Sequence, residues 1–533
     1  MELQTELKWR VNKKSGSFTI RPGENHLSVP VRPGEVLQTV EAELPVPPAL
    51  KMFFNGYQTW TYCPEYAPGD RIRGLGGFPK IGLGLTGIDR FGDYHFIKYP
   101  FRRGVFHGFS YCYFRNGKTY RLIASLNERP GYTLFTYNVN TEVLTLERDC
   151  TGVAPEGTEF PAFDLFFAEG SEKEVFDRWF EALGIRSTAP RIKGYSSWYN
   201  HYTRISEKSI LDDLRGARSL FDPGDLFQID DGWESRAGDW ETADSRKFPR
   251  GLKPLVREIH DAGFKAGLWL APFVCSRRSA LFREHSDYLL RYRGKPWLAG
   301  PNWGGSFALD IDQPGVREYL TGVFRRIFEE WGFDFVKLDF LFAAAPFATG
   351  DHGERSDMPF TESRAGRMIR AMEFLRKCCE GKRMLSCGVP LMPAFGLTDY
   401  CRIGPDIGLD WDDFPLMRLL HRERVSTRQS LGNTIFRREL DGRAFGSDPD
   451  VFFLRDRNLR LSGPEKNYLA AANALLGSVW LTSDDLNGYD PAKAALYRKY
   501  AHLRSAEKAE IDSDALAIRY TLDGQEHIIP YPH

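Results

Sequence analysis

Two charged side chains interrupt a stretch that is otherwise apolar and aromatic, residues 333–342 (FDFVKLDFLF). Such a run is typical of a parallel strand that is buried on both faces. Lys337 and Asp339 are two residues apart and therefore point the same way from a strand. A charge there is costly unless it is paired or borders a cavity. The apolar run continues past Asp339, which predicts a carboxylate near the carboxyl end of the strand, where β/α barrels carry active sites. A structural Lys–Asp pair is the alternative interpretation.

Polar or aromatic residues also end the neighbouring predicted strands. They are Trp198, Tyr199, Asp230, Asp231, Trp269, Cys387, Gly388, Arg402 and Asp406. Together these side chains predict a pocket of carboxylates, cations and aromatic walls, which suits a neutral ligand rich in hydroxyl groups. Two carboxylates on separate strands could cleave a glycosidic bond, one attacking the anomeric carbon or assisting water while the other protonates the leaving oxygen. The cation beside Asp339 should keep that carboxylate ionised.

The elements that must position these residues follow a repeating pattern of apolar strand, polar turn and amphipathic helix, typical of a parallel α/β fold. The predicted strands are 194–199, 226–231, 265–272, 333–340, 384–388, 401–406, a weaker one before Asp448, and 479–484. The predicted helices between them include 206–220, 251–262, 316–331 and 363–380. We therefore expect a central (β/α)8 TIM barrel over residues 186–505. A doubly wound open sheet is the alternative, but no glycine-rich fingerprint marks a dinucleotide site.

The sequence pattern is different on both sides of this region. Residues 1–185 consist of short alternating runs separated by turns and end in an amphipathic helix, 172–183, which predicts an N-terminal β-sandwich domain. Residues 506–533 contain only one or two strand-like runs, 516–520 and 527–530, and predict a short C-terminal β segment. In the first domain, residues 55–62 (NGYQTWTY) form an aromatic cluster in turn-like sequence. This loop either packs on its own sheet or reaches over the mouth of the next domain, with Trp60 as a stacking wall.

Composition excludes several classes of function. Lys plus Arg (71) equal Asp plus Glu (71) among 533 residues, which argues against a nucleic-acid partner that needs a basic surface. The N-terminus lacks an apolar signal-peptide core, and no apolar run reaches the roughly 20 residues that span a bilayer. The eight cysteines form no CxxC pair and the eleven histidines are dispersed, so we expect no metal site and no cofactor. A reducing cytoplasm fits this cysteine usage best.

Five segments carry a resemblance to a known family. FVKLDF, FQIDDGWESRAGDW, GLWLAPF, LSCGVPLMPAFG and CRIGPD are similar, in order, to the motifs of glycoside hydrolase family 36, above all to its shorter bacterial α-galactosidases. Several of them also resemble family 27. The resemblance implies an N-terminal β-supersandwich, a TIM barrel and a retaining exo-α-galactosidase that works by double displacement without a cofactor.

The same resemblance implies roles for individual residues. Asp339 corresponds to the nucleophile and Asp406 to the general acid/base. Asp230 and Asp231 match the acidic pair that binds O4 and O6 of galactose. The remaining sugar contacts would be Lys337, Arg402, Trp269, Cys387 and Gly388. Trp198 and Tyr199 would line the bottom of the pocket, and the N-terminal domain would contribute Trp60.

The sequence also departs from the family. Many longer relatives carry an arginine in the segment that corresponds to 302–310, which has none here, so Arg402 is expected to supply that charge. Other functions remain open: an α-galactosyl transferase or α-N-acetylgalactosaminidase with the same site, a non-catalytic carbohydrate-binding protein, or a metal-dependent barrel hydrolase. We expect a small α-galactoside of the melibiose or raffinose type as substrate, and neither a nucleic acid nor a membrane as partner. The oligomeric state stays open.

Overall fold

The computed structural model describes residues 5–75, 77–95, 97–347, 362–412 and 417–533. Its N-terminal part contains two antiparallel six-stranded sheets. In spatial order, the strands of the first are Lys14–Ile20, Thr5–Val11, Thr39–Pro45, Val143–Asp149, Tyr132–Asn138 and Val105–Phe109. Those of the second are Gly23–Pro30, Glu159–Gly170, Thr119–Ser125, Tyr111–Asn116, Lys51–Phe54 and Glu65–Tyr66. These strands confirm the predicted all-β character of most of this region.

Alternating side chains explain how these sheets pack. Leu144 and Phe135 from the first sheet share one buried cluster with Phe54 and Phe114 from the second. The opposite face of the second sheet, including Tyr111, is buried as well and packs on the helix Glu172–Leu183. The second sheet is thus covered on both sides, which places the N-terminal sheets directly against the rest of the chain.

The amphipathic helix Glu172–Leu183 confirms a sequence prediction. Ser171 caps its first turn by accepting the N–H of Glu174, and Gly184 ends it with a left-handed φ of 65°. A second helix, Gly77–Thr86, was not predicted, because its sequence (GFPKIGLGLT) is rich in glycine, a poor helix former. The turn that follows packs on a distant strand: a Cβ built on Gly87 would lie 3.0 Å from the Leu298 side chain. Such a contact leaves no local signal in the sequence.

The rest of the chain is organised around one parallel sheet of nine strand segments. Their spatial order is Gly446–Asp448, Tyr400–Arg402, Arg383–Ser386, Phe335–Leu338, Lys265–Leu270, Leu226–Ile229, Ile192–Ser196, Val479–Thr482 and Val451–Phe452. Every neighbouring pair is parallel. The two outermost segments are separated by only Pro449 and Asp450, so the sheet curls until its edges meet in one stretch of chain. All eight predicted strands overlap observed ones, although the one predicted over 401–406 ends at Arg402 and leaves Asp406 in the following loop.

Helices alternate with these strands. They are Trp198–His201, Glu207–Arg218, Leu252–Asp261, Ala280–Glu284, Pro314–Arg325, Arg364–Cys378, Leu391–Ala394, Thr427–Phe436, Gly463–Leu476 and Pro491–Leu503. The four predicted helices are confirmed, and Ser206 caps the first of them by accepting the N–H of Ser209. The third predicted helix is continuous only in part, since a π-helical turn, Arg326–Trp331, follows Pro314–Arg325 and ends at Gly332.

Two small antiparallel sheets have three strands each. One, inserted after the strand Lys265–Leu270, pairs Val274–Ser276, Ser306–Ala308 and Leu298–Gly300. This sheet was not predicted from the sequence. Trp303 lies in the turn between two of its strands, Leu298–Gly300 and Ser306–Ala308. The other, at the C-terminal end, has three strands, Lys508–Asp512, Ala517–Leu522 and Gln525–Ile529, where one or two were predicted. The additional strand was missed because its sequence, KAEID, is mostly charged and lies partly exposed.

One short antiparallel pairing lies between the strands of the inserted sheet in the chain. Arg291–Tyr292 and Lys295–Pro296 form a hairpin next to the inserted sheet. In the part of the chain that the structure describes, no helix has the length and apolar character needed to cross a membrane.

Candidate active site

The site lies where neighbouring parallel strands end. Lys337 is the third residue of the strand Phe335–Leu338, and Asp339 follows its last residue. Trp269 is the penultimate residue of the strand Lys265–Leu270 and Arg402 the last of Tyr400–Arg402, while Cys387 directly follows Arg383–Ser386. Because parallel strands present their carboxyl ends at one edge, these residues come together although the set spans more than a hundred positions of the sequence, from Trp269 to Arg402.

Lys337 is buried and paired, but not with Asp339. Its ammonium donates to Asp230 Oδ2 over 3.0 Å, and both side chains are almost completely buried. Burial by itself lowers the pKa of Lys337, yet Asp230 and then Asp339 more than offset this, so the pKa lies above its ordinary value and the lysine stays charged. The proposed Lys337–Asp339 structural pair is therefore wrong, because the lysine reaches past the neighbouring strand Lys265–Leu270 to Asp230, which follows the next strand.

Asp339 is held by two N–H donors. The indole Nε1 of Trp269 donates to Asp339 Oδ2 over 3.1 Å, and the backbone N–H of Phe340 donates to Oδ1 over 2.8 Å. Phe340 adopts a left-handed φ of 54°, so the chain turns sharply just after the carboxylate. Each oxygen thus has a fixed partner, which sets the orientation of this carboxyl group.

Asp406 occupies a different environment. Its Oδ1 accepts Arg402 Nη1 over 2.9 Å, and its side chain keeps 40% of its surface open. Burial among protein atoms raises the pKa of Asp406 to about 6; Arg402 opposes this shift, while Asp450 and Asp339 add to it. This carboxyl group can therefore carry a proton near neutral pH and still reach the open side of the site.

Arg402 donates hydrogen bonds to three carboxylates. Besides Asp406, its Nε donates to Asp448 Oδ2 and its Nη2 to Asp450 Oδ1, each over 3.0 Å. The guanidinium is buried, which favours loss of charge, but Asp450 and Asp448 raise its pKa well above the ordinary value. Arg402 is thus fixed in one orientation and is permanently charged.

The acidic pair Asp230–Asp231 is buried, and its two members have different partners. Asp230 accepts hydrogen bonds from Lys337 and, over 2.8 Å, from Gln228 Nε2. Asp231 Oδ2 accepts the indole N–H of Trp303 over 3.1 Å, whereas its Oδ1 has no hydrogen-bond partner among the described residues. Burial and the nearby Glu234 raise the pKa of Asp231 well above its ordinary value.

Trp60 reaches the site from the N-terminal sheets. Its indole Nε1 donates to Cys387 Sγ over 3.2 Å, and its ring packs edge-on against Phe340. The loop around it is anchored twice, since Gly388 N donates to Thr59 Oγ1 and Thr59 N donates to Val389 O, both over 3.0 Å. Of the two interpretations of this loop, the one that extends beyond its own sheet is therefore correct.

Gly388 must be glycine for two reasons. Its φ is 58°, a left-handed conformation that side chains with a Cβ rarely adopt. In addition, a Cβ at this position would lie 2.8 Å from the Trp60 ring.

Trp198 and Tyr199 begin a short helix after the strand Ile192–Ser196. The hydroxyl of Tyr199 donates to Asp450 Oδ2 over 2.6 Å, and its backbone N–H donates to Ser483 Oγ. Trp198 is half-buried and packs edge-on against Tyr202, with 5.2 Å between ring centroids. Tyr199 is thus tied to the Arg402 cluster, while Trp198 lies beside it with part of its surface free.

Three residues of the cluster were missing from the sequence-based set. Asp448 and Asp450 lie at the weakest predicted strand, where the sequence SDPD interrupts the apolar pattern; two carboxylates beside a predicted strand end were the available signal. Trp303 comes from the segment 302–310, which was noted only for its lack of arginine. In the structure this segment presents an indole N–H to Asp231 instead of a cation.

A curled parallel sheet whose strand ends gather two separate carboxyl groups, a lysine, an arginine and aromatic rings provides the groups that cleavage of a glycosidic bond requires. Comparison with known proteins agrees. The Melibiase family model matches residues 196–359. Alpha-galactosidase 1 of Pediococcus pentosaceus is 33% identical over 122 residues, 22% of this chain and 16% of that protein. The alpha-galactosidase of Escherichia coli is 33% identical over 151 residues, 27% of this chain and 20% of that protein. The matched segments thus span a fifth or less of these two relatives.

Structural comparison covers more of the chain. TtGalA, an alpha-galactosidase from Thermus thermophilus solved with p-nitrophenyl α-D-galactopyranoside, matches 100% of this chain and 99% of its own, with a TM-score of 0.76 and 27% identity. The GH36 alpha-galactosidase AgaA from Geobacillus stearothermophilus matches 97% of this chain and 71% of its own, with a TM-score of 0.59 and 13% identity, which establishes likeness of fold. The chain is therefore similar in sequence to the Melibiase family over residues 196–359 and similar in fold to solved alpha-galactosidases.

Proposed function

We propose that this protein is a retaining exo-α-galactosidase that releases terminal α-linked galactose from short oligosaccharides. The observation that carries the proposal is the contrast between two carboxyl groups at the same strand ends. Asp339 is fixed by two N–H donors, whereas Asp406 has a pKa raised to about 6. The reaction needs one carboxyl group that attacks and another that carries a proton, and the raised pKa of Asp406 suits it to the second role.

The reaction proceeds in two displacements. An oxygen of Asp339 attacks the anomeric carbon while Asp406 gives its proton to the departing glycosidic oxygen, and a covalent glycosyl–enzyme forms. Asp406, now ionised, then removes a proton from water, whose oxygen attacks the anomeric carbon and releases Asp339. The two inversions restore the α configuration. Retention requires a carboxyl separation of about 5–5.5 Å, rather than the roughly 6.5–9.5 Å of inverting enzymes.

The remaining site residues bind the sugar in this proposal. Asp230, Asp231, Lys337 and Arg402 bind ring hydroxyls, and Trp269 fixes the nucleophile. The unpartnered Oδ1 of Asp231 is a ready acceptor for a substrate hydroxyl. Cys387, Gly388 and Trp60 close one side of the site in mutual contact, and Trp198 and Tyr199 close another. The Cys387–Trp60 contact leaves little room for a 2-acetamido group, which favours galactose over N-acetylgalactosamine.

The architecture proposed for this enzyme is an eight-stranded (β/α)8 barrel over residues 186–505. In this description, Gly446–Asp448 and Val451–Phe452 are two halves of the seventh strand. Residues 1–185 form a β-supersandwich domain and residues 506–533 a short β segment. All eight cysteines are free thiols, seven of them buried, and we place the enzyme in a reducing compartment such as the cytoplasm.

The test compares hydrolysis of p-nitrophenyl α-galactoside with that of the α-N-acetylgalactosaminide and the α-glucoside. Turnover of the galactoside alone, lost in Asp339→Ala, supports both the sugar and the nucleophile. Proton NMR of the first product formed then decides the stereochemistry: α-galactose appearing before its mutarotation supports retention, whereas β-galactose contradicts it. Silence on all three substrates contradicts the proposed activity.

A further inference from the structure

Asp450 makes several ordered contacts at this site, yet the proposed reaction gives it no role. It is almost completely buried and lies in the two-residue link between the outermost strand segments, with a left-handed φ of 75°. That backbone conformation is uncommon for a residue with a side chain and is worth a functional explanation.

Both oxygens of Asp450 are saturated by donors. Oδ1 accepts Arg402 Nη2 over 3.0 Å and the backbone N–H of Val451 over 2.9 Å. Oδ2 accepts the Tyr199 hydroxyl over 2.6 Å and the backbone N–H of Ile407 over 3.0 Å. Four donors occupy the acceptor sites of this one carboxylate and leave no obvious place for a substrate hydroxyl. This residue therefore acts on its neighbours rather than on the sugar.

Two of those donors lead directly to Asp406. Ile407 is the next residue in the chain, so its hydrogen bond fixes the peptide that carries Asp406. Arg402 contacts Asp406 through Nη1 and Asp450 through Nη2, so the two carboxyl groups share one guanidinium. Asp450 neutralises part of the positive charge of Arg402. The arginine therefore favours the ionised form of Asp406 less strongly than it would without Asp450.

We propose that Asp450 is a positioning residue that holds the Asp406 segment in place and keeps Asp406 protonated, partly by its own charge and partly by neutralising Arg402. The proposal rests on the proposed function, in which Asp406 is the general acid. Asp450 does not touch substrate or reacting atoms in this scheme.

Other charged or titratable groups also face Asp406. They are Arg402, Lys337, Asp339, Tyr199, Tyr202 and Cys387. The two cations favour the ionised acid, and Asp339 favours the protonated one together with Asp450. Among the contacts of the described residues, Asp450 binds both Arg402 and the peptide next to Asp406, and Asp339 binds neither.

The matched variants are Asp450→Asn and Asp448→Asn. Asp448 also accepts a hydrogen bond from Arg402, over 3.0 Å, and is equally buried, but it makes its other contact with Asp450 N rather than with Ile407. Both substitutions remove one negative charge from the arginine. Only Asp450→Asn also removes the charge that bears on Asp406 and weakens the hold on Ile407.

The first measurement is the pH profile of kcat/KM, with each variant normalised to its own maximum and checked for folding by its thermal midpoint. Asp450→Asn is expected to move the alkaline limb to lower pH by about one unit, the scale of one nearby charge, and Asp448→Asn to move it clearly less. An unmoved limb in Asp450→Asn, or equal shifts in the two variants, overturns the proposal.

Tyr199→Phe gives an independent test if Asp450→Asn fails to fold. The substitution removes one hydrogen-bond donor from Asp450 but leaves the negative charge of its carboxylate, which is then less well compensated. The alkaline limb is expected to move to higher pH, opposite to the effect of Asp450→Asn. An unchanged limb, or one displaced to lower pH, contradicts the proposal.

A second readout does not need turnover. Potentiometric titration of the wild-type protein minus that of Asp406→Asn reports the protonation of Asp406, and the same difference can be taken in the Asp450→Asn background. The midpoint is expected to fall when Asp450 is replaced, and an equal midpoint in both backgrounds overturns the inference. If the wild type hydrolyses no α-galactoside, the proposed function fails, while this titration still tests the link between Asp450 and Asp406.

Discussion

Trp269 and Asp339 are joined by a hydrogen bond of 3.1 Å from the indole Nε1 to the carboxylate Oδ2. The tryptophan is the penultimate residue of one parallel strand and the aspartate follows the adjacent one, so the register of the sheet determines their separation: Trp269 pairs with Lys337, two residues before Asp339. The backbone of Trp269 is held as well, because the Trp233 indole donates to the Trp269 carbonyl over 2.7 Å. The proposed nucleophile is thus oriented by the sheet rather than by a loop.

Trp269→Phe tests this contact. The substitution removes one N–H bond to a charged oxygen, a contact that contributes about 1.5–3 kcal/mol, and we expect kcat/KM for p-nitrophenyl α-galactoside to fall about 10- to 100-fold. Trp240→Phe is the control, because Trp240 is equally buried and packs on Trp269, yet its Nε1 has no hydrogen-bond partner among the described residues. Equal losses in both variants would mean that ring packing, not the N–H, matters.

The pH dependence of activity should follow Asp406. Its raised pKa, about 6, means that the proton required in the first displacement is held up to that pH and lost above it. The kcat/KM profile for melibiose is expected to decline with an apparent pKa near 6 on its alkaline side. Asp406→Asn should abolish this limb and spare substrates with good leaving groups, such as p-nitrophenyl α-galactoside, more than melibiose. Full activity of the wild type up to pH 9 would contradict the assignment.

The buried Lys337–Asp230 pair should behave differently from an exposed pair. Removing one partner leaves an uncompensated buried charge, so Lys337→Met or Asp230→Leu is expected to lower the free energy of unfolding by about 3–5 kcal/mol. The double variant should recover part of this loss. Lys173–Asp177 on an exposed helix face provides the comparison, and its disruption should cost less than about 1 kcal/mol. Denaturant unfolding of the single and double variants measures both, and additive losses at Lys337 and Asp230 would argue against a coupled pair.

Gly388→Ala should disturb the contact between the two parts of the molecule. The added Cβ meets both an unfavourable φ and the Trp60 ring, so we expect a loss of about 1–3 kcal/mol in stability and a raised KM. Gly381→Ala is the control for conformation alone, because its φ is 72° and a Cβ there would have no heavy atom within 4 Å. In the Trp60→Ala background the two 2.8 Å contacts disappear and Phe340 Cα remains at 3.3 Å, so Gly388→Ala should cost clearly less than it does beside Trp60 and approach the cost of Gly381→Ala. Equal costs of Gly388→Ala with and without Trp60 would show that the ring is not the obstacle.

Much of the parallel sheet could be predicted from sequence, because buried strands are apolar runs and their ends are marked by charges and turns. Lys337, Asp339 and Arg402 stand out for that reason. The partner of Lys337 could not be predicted, since strand neighbours in the sheet are set by topology and Asp230 lies 107 positions away. Trp303 escaped notice because an indole N–H donor in a loop has no distinctive spacing.

The sequence by itself determined which residues could do chemistry: short-range pattern places Asp339 and Asp406 at strand ends and predicts the strand–helix alternation that carries them. Only the tertiary structure decided how they differ. The Trp269 and Phe340 N–H groups fix Asp339, while burial and the Arg402–Asp450 contact shape the protonation of Asp406. The physical reason is that pKa and orientation depend on all charges and donors within a few ångströms, and at this site most of those come from distant strands.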